Sequence, residues 1–278
     1  MPILSDFHLH TRHSGDSETP MEAQVQAALA AGLSSMCFTD HYDRDYTYEQ
    51  NPEIPREEYG CFELAMEPYY AEFCALQKKY AGSIRLFWGV ELGLQPHLNA
   101  AYHDFLARWP QLDYVIGSTH LVNGVDPYYA RFFAERGEEA AFREYFEYAL
   151  ACVRACDCFD SYGHLDYVVR YGPHKDRDYS YAQYRDVIDP ILETLLEKGK
   201  ALELNTAPAS KGCRELNPCV DILKRYRALG GEMVTIGSDA HTPERIAGSF
   251  ARAAQVLRDC GFSRYVTFEK RRAVFHDL

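Results

Sequence analysis

The chain has 278 residues, 47% hydrophobic and 25% charged, an ordinary globular composition that excludes a disulfide-stapled mini-protein, a fibrous repeat and a disordered chain. Its formal net charge of −12 sets the surface as a whole against nucleic acid and anionic membranes. The nine cysteines are odd in number, in a long chain that no charged and apolar leader opens, so free thiols in a reducing cytoplasm are expected.

Seven short apolar runs, each ending in a polar cluster, recur along the chain: 3–10, 34–41, 84–93, 113–120, 160–166, 201–206 and 233–241. Runs of this length and character read as strands buried on both faces. Between them lie amphipathic stretches with helical spacing, among them 20–32, 67–82, 181–199 and 218–231, several closed by glycine. Seven strand–helix alternations at even spacing predict a closed parallel barrel, and no glycine-rich nucleotide fingerprint follows any strand. No linker divides the chain, so residues 1–278 are expected to form one domain. No apolar run reaches the ~18 residues of a membrane span. Cys152, Cys156 and Cys158 lie at a 4-then-2 spacing that suits helix packing better than a metal knuckle.

Chemistry in such barrels sits at the C-terminal ends of the strands. His8 and His10 alternate with Leu9, so on an extended strand both imidazoles share one face, where two ligands can reach one metal. Asp16, His41, Glu91, His120, His164, Asp239 and His241 each end or follow a strand-like run. Nine such ligands exceed what one divalent ion uses. Glu91 lies between apolar neighbours, where an unpaired carboxylate is costly; it either bridges metals or pairs with a cation such as Arg85. Asp40 is expected to point away from His41 and to support the site from behind. Glu203 and Asn205 alternate on the sixth strand, facing the pocket or orienting a ligand histidine. Tyrosines crowd three long connections: Tyr42, Tyr46, Tyr48 and Tyr59, then Tyr128 and Tyr129, then Tyr167, Tyr171 and Tyr179. They wall a pocket or form satellite clusters beneath the loops.

The blocks HLH, FTDH, GVELG, STH, GHLD, LELNT and GSDAH, in that order, resemble the polymerase and histidinol phosphatase (PHP) superfamily. The runs GHLDYVVRYG, ALELNT and RYRALGGEMVTIGSDAH look like its histidinol-phosphatase branch. The resemblance implies a distorted (β/α)7 barrel, TIM-like, with a trinuclear site at the C-terminal ends of the strands. It implies that His8, His10, Glu91 and Asp239 bind one ion, that Glu91 bridges to a second held by His120 and His164, and that Asp16, His41 and His241 bind a third. The three divalent ions would be zinc, iron or manganese, which mixed imidazole and carboxylate ligands suit alike.

The implied reaction is hydrolysis of a small phosphate monoester, L-histidinol phosphate to L-histidinol and phosphate, a step of histidine biosynthesis. A hydroxide bridging two ions, held by Glu91, His120, His164 and Asp239, would attack phosphorus in line. Arg170 is expected to clamp the phosphate, its alternative being an ion pair with Asp166 or Asp176. Ser210 stands where this branch often carries a basic residue, and Lys211 or Arg214 is expected to substitute. Tyrosine faces and the carboxylates of Asp43, Asp45 or Glu215 are candidates for the cationic end of the substrate. His13 is a possible pocket residue, and His97, His103, His174 and His276 read as solvated or locally packed. The competing readings are a phosphodiesterase, exonuclease or phosphotyrosine phosphatase on the same site, and a non-catalytic metal-binding module. The longest basic tract is Glu-Lys-Arg-Arg at 269–272, too little for nucleic acid.

Overall fold

The computed structural model describes residues 2–46, 52, 60–134 and 136–278. Each expected strand forms in place. In chain order they are β1 (Ser5–Asp6), the interrupted pair β2 (Ser35–Phe38) and β3 (His41–Tyr42), β4 (Arg85–Gly93), β5 (Tyr114–Ser118), β6 (Ser161–Tyr162), β7 (Ala201–Asn205) and β8 (Val234–Gly237). β2 and β3 both pair β4, with Phe38 opposite Trp88 and His41 opposite Glu91, so they are one strand broken at Thr39 and Asp40. All pairings in this sheet are parallel, in the order β1, β2, β4, β5, β6, β7, β8.

The sheet closes where β1 meets β8. Phe7 N donates to Ile236 O at 3.2 Å, Asp239 N to His8 O at 2.7 Å and His10 N to Ala240 O at 2.9 Å. Closure removes the unpaired edges of an open sheet and sets the two alternating pairs, His8/His10 and Asp239/His241, side by side. The buried Asp6 carboxylate pins the same seam by accepting from Ser238 N at 2.9 Å and Ala247 N at 3.0 Å.

Helices α1 (Met21–Ala30), α2 (Met66–Lys79), α3 (Asn99–Arg108), α4 (Arg131–Ala134), α5 (Glu138–Ala155), α6 (Tyr181–Glu197), α7 (Val220–Ala228) and α8 (Phe250–Asp259) complete the helical part. Their apolar stripes pack on the outer faces of the strands through Val25, Phe73, Phe146, Ile188, Ile191 and Leu257, all buried. Cys152 and Cys156 belong to this packing, their thiols directed at Leu94 O and Gln95 O. Among the described residues no helix is long and apolar enough to cross a membrane.

A C-terminal hairpin, β9 (Arg264–Glu269) with β10 (Arg272–Asp277), was not expected. Val266 and Phe268 of β9 enter a second apolar cluster with Phe7, Phe87, Tyr114 and Ala201. Phe87, Tyr114 and Ala201 stand at the starts of β4, β5 and β7, so the hairpin plugs the N-terminal end of the barrel. Arg271 of its turn pairs with Asp160, and Lys270 N donates to Asp113 Oδ1 at 3.0 Å. The tract at 269–272 therefore forms the turn of this hairpin.

Candidate metal centre

Alternation along the strands carries Glu91, Ser118, Glu203 and Thr235 to the barrel interior, and the ligand groups crowd at its open end. Glu91, fully buried, is the hub. Its Oε1 lies 2.9 Å from His164 Nε2 and 3.3 Å from His120 Nε2, while Oε2 lies 3.1 Å from His8 Nε2, 3.1 Å from His41 Nδ1 and 3.5 Å from His10 Nε2. Two oxygens facing two sets of imidazoles is the geometry of a bridging carboxylate. Asp239 Oδ1 stands 3.4 Å from His10 Nε2 and 3.8 Å from His8 Nε2. Asp16 Oδ2 stands 2.9 Å from His241 Nε2 and 3.5 Å from His41 Nε2. All nine expected residues thus meet in one centre, and Arg85 pairs with Glu269 rather than Glu91.

Close approach is written into two glycines. A Cβ on Gly237 would lie 2.1 Å from His8 Cβ, and one on Gly93 would lie 1.8 Å from Asp43 Oδ1. His164 and Asp239 themselves hold positive φ, 21° and 54°, backbone strain of the kind that gathers at functional sites.

A shell of partners fixes the rings from behind. Glu203 Oε1 is 2.5 Å from His8 Nδ1, and its Oε2 accepts from His164 N at 2.8 Å, so of the two expected placements Glu203 takes the one behind the His8 ring. Asp43 Oδ1 is 2.8 Å from His120 Nδ1. Asp40 accepts from Thr11 N, Thr11 Oγ1 and Ser14 Oγ at 2.6, 2.9 and 2.8 Å. Ring nitrogens tied to such groups leave their opposite nitrogens for a metal.

The centre keeps its carboxylates ionised despite their burial. Burial alone would neutralise Glu91 and Asp239, yet His8 and its neighbouring imidazoles hold both carboxyls well below the usual range. Burial alone would also lower His120, but the charges of Asp43 and Glu91 push it up to about 10. His10 differs: burial, then the neighbouring His241 and His41, push it down to about 3, so its ring is neutral. His41 Nδ1 and Asp43 Oδ2 stand 3.5 Å apart with neither in a hydrogen bond, and His164 Nδ1 is likewise buried without one. A donor set of imidazoles and carboxylates with orphaned buried atoms fits divalent zinc, iron or manganese.

The centre floors a cavity of about 820 Å³. Arg170 lines it, buried, and neither Asp166 nor Asp176 is its partner. Nη1 donates to Asp239 Oδ2 at 2.9 Å, Nε to Asn217 Oδ1 at 2.9 Å and Nη2 to Asn205 Oδ1 at 3.3 Å. A guanidinium has five N–H groups, so donors remain for an anion. Lys211 stands at the rim, 3.0 Å from Tyr171 OH. Arg214, expected to share the phosphate, instead lies outside the cavity, its guanidinium donating to Asp176 O and Arg177 O at 2.6 and 2.8 Å.

Tyr46, Tyr128, Tyr129, Tyr167 and Tyr171 wall the cavity. Tyr42 stacks on Phe105 and Tyr179 on Phe146, outside it, and Tyr48 and Tyr59 lie outside the described residues. Asp45 and Glu215 also leave the candidate set, the first paired with His97, the second accepting from Val220 N. His13 pairs with Glu72, and His103, His174 and His276 are bonded locally to Asp157, Glu138 and Thr267. Among the described lining residues two buried carboxylates stand by the wall: Asp43, bonded to His120, and Asp126, which was missed in the sequence. Asp126 accepts from Tyr46 OH at 2.5 Å and Tyr128 N at 2.7 Å, and burial pushes its pKa up to about 6 against those bonds. A lone Asp in a loop carries no spacing that marks it.

Residues 6–207 match the model of the PHP domain. The chain belongs to the PHP domain family. Within it, a Lactococcus lactis protein named histidinol-phosphatase is 33% identical over 264 residues, covering 95% of this chain and 93% of its own. The solved structure of L. lactis histidinol phosphate phosphatase, in complex with zinc, L-histidinol and phosphate, superposes with a TM-score of 0.83 at 30% identity over 97% of this chain and 98% of that one. A Listeria monocytogenes structure at 21% identity, covering 89% of this chain and 99% of its own, has a TM-score of 0.74 and speaks for the fold alone.

Proposed function

We propose that the protein is a metal-dependent phosphatase that hydrolyses L-histidinol phosphate to L-histidinol and inorganic phosphate. The observation that carries this reading is one cavity whose floor is lined by Asp16, His41, His120, His164, Asp239 and His241, with His8, His10 and Glu91 buried against them, beside the Arg170 guanidinium and facing an acidic, tyrosine-lined wall. A phosphate with a cationic alcohol attached matches those three regions in turn. The zinc, L-histidinol and phosphate held by the L. lactis relative support the same reading.

His8, His10, Glu91 and Asp239 would hold one divalent ion, Glu91, His120 and His164 a second, and Asp16, His41 and His241 a third. Such ions lower the pKa of water and neutralise phosphoryl charge. Glu91, His120, His164 and Asp239 together define where the attacking water is held. Glu203 and Asp43 keep His8 and His120 in the tautomer that presents Nε2. Arg170 binds non-bridging phosphate oxygens while its bond to Asp239 keeps that carboxylate aimed at the centre. Lys211 adds positive charge at the rim. Asp126 and the tyrosine faces receive the ammonium and imidazole of the alcohol. The −12 charge opposes nucleic acid, which must lie along the surface, but not a small ester drawn to a local positive centre. The test is phosphate release from a panel of histidinol phosphate, phosphotyrosine, nucleoside monophosphates and a nitrophenyl diester. Histidinol phosphate is expected to have the highest kcat/KM, and preference for the diester would overturn the reading.

A further inference from the structure

The geometry assigns to Ser14 the part of a positioning residue that fixes the tautomer of His10 and ties two of the metal positions together. Ser14 is buried, and its Oγ meets three groups: Asp40 Oδ1 at 2.8 Å, His41 N at 3.0 Å and His10 Nδ1 at 3.0 Å. A hydroxyl has one proton and two lone pairs. The His41 amide can only donate, so it takes one lone pair. The Asp40 carboxylate, already accepting from Thr11 N and Oγ1, takes the hydroxyl proton. The remaining lone pair can only accept, so His10 carries its proton on Nδ1. Its Nε2, 3.5 Å from Glu91 Oε2 and 3.4 Å from Asp239 Oδ1, is left with a lone pair directed at the centre.

The same atom reaches the other side of the centre. The ring of His10 is stacked between those of His41 and His241, each with centroids 4.2 Å away. The loop that carries Ser14 also carries Asp16, and it is fastened to His241 O by Ser17 Oγ at 2.8 Å and Thr19 Oγ1 at 2.7 Å. One hydroxyl therefore orients a side chain of the His8/His10/Glu91/Asp239 position and holds the backbone of a residue of the Asp16/His41/His241 position. The Glu91/His120/His164 position lies on the far side of Glu91 and does not contact Ser14; Asp43 supports its His120, and Glu203, shared with His8, holds the backbone of its His164.

This inference rests on the metal-dependent reading of the site. Its test is zinc uptake by the full chain, stripped of metal and titrated with zinc in chelator-buffered solution, with bound zinc counted per chain. Removing a group that orients a ligand typically costs about tenfold to a hundredfold in metal affinity, so Ser14→Ala should shift the uptake midpoints of two ions by that factor and leave the third in place. Wild-type protein that takes up no zinc sinks the metal reading and the inference with it. Wild-type uptake with unchanged Ser14→Ala midpoints overturns the inference alone. A second measurement needs no Ser14 variant: in zinc-loaded, ¹⁵N-histidine-labelled protein, the signal lost on His10→Asn should belong to a ring protonated at Nδ1. A proton on Nε2 overturns the assignment.

Discussion

Replacing Arg170 separates its hydrogen bond to Asp239 from its proposed part in binding phosphate. Arg170→Ala removes three buried hydrogen bonds, to Asp239, Asn205 and Asn217, and leaves the buried Asp239 carboxylate without its guanidinium. Breaking a buried ion pair from one side costs about 3–5 kcal/mol, and that is the expected loss of stability in metal-free protein. In zinc-loaded protein the loss should be smaller, because the ions then compensate Asp239. Losing a charge-assisted bond to phosphate is worth about 1.5–3 kcal/mol, which corresponds to about tenfold to a hundredfold in kcat/KM. Arg170→Lys keeps a charge, but one compact ammonium cannot serve Asp239, both asparagines and phosphate together. It should retain zinc and most of the stability while losing kcat/KM. Denaturant melts with and without zinc, zinc counts and steady-state kinetics measure each part. Unchanged kcat/KM in both variants would refute the clamp, and equal destabilisation with and without zinc would refute the partnership with Asp239.

Glu203→Gln should lower zinc affinity about tenfold to a hundredfold, because an amide cannot accept from both His8 Nδ1 and His164 N; chelator competition reads this, and wild-type affinity would contradict the tautomer argument. Zinc uptake at neutral pH should release protons, since His8, His41 and His120 sit above their ordinary pKa without metal and only neutral rings ligate. Calorimetry in buffers of different ionisation enthalpy gives the number released, and zinc affinity should fall as pH falls. Asp126→Asn should raise KM for histidinol phosphate while sparing nitrophenyl phosphate, which has no cationic end; an equal effect on both would remove Asp126 from substrate recognition. Arg214→Ala should leave kcat/KM unchanged.

The barrel was legible in the sequence because strands buried on both faces write unbroken apolar runs, and its polar ends fall where ligands must stand. The hairpin of β9 and β10 was not, for a specific reason. Its two-residue turn takes positive φ at Lys270 and Arg271, 51° and 63°, where such turns favour Asn or Gly. The residues that converge at the open end of the barrel were legible through alternation and order along the chain. Their supports were less so. Asp43 follows His41 by two residues on an extended segment, a spacing that places both on one face, yet only the fold brings His120 against it. Arg170 suggested nearby Asp166 and Asp176 as partners, but barrel closure delivers Asp239 from 69 residues away.

The hairpin that plugs the N-terminal end of the barrel also bears on how turnover ends. With that end filled by Phe7, Tyr114, Val266 and Phe268, substrate and products share the mouth between the tyrosines and Lys211. In the proposed binding mode the phosphoryl group would lie at the floor and the alcohol above it, so departure would be ordered: alcohol first, inorganic phosphate last. Phosphate should then inhibit competitively against substrate, whereas added histidinol should act as a non-competitive product inhibitor.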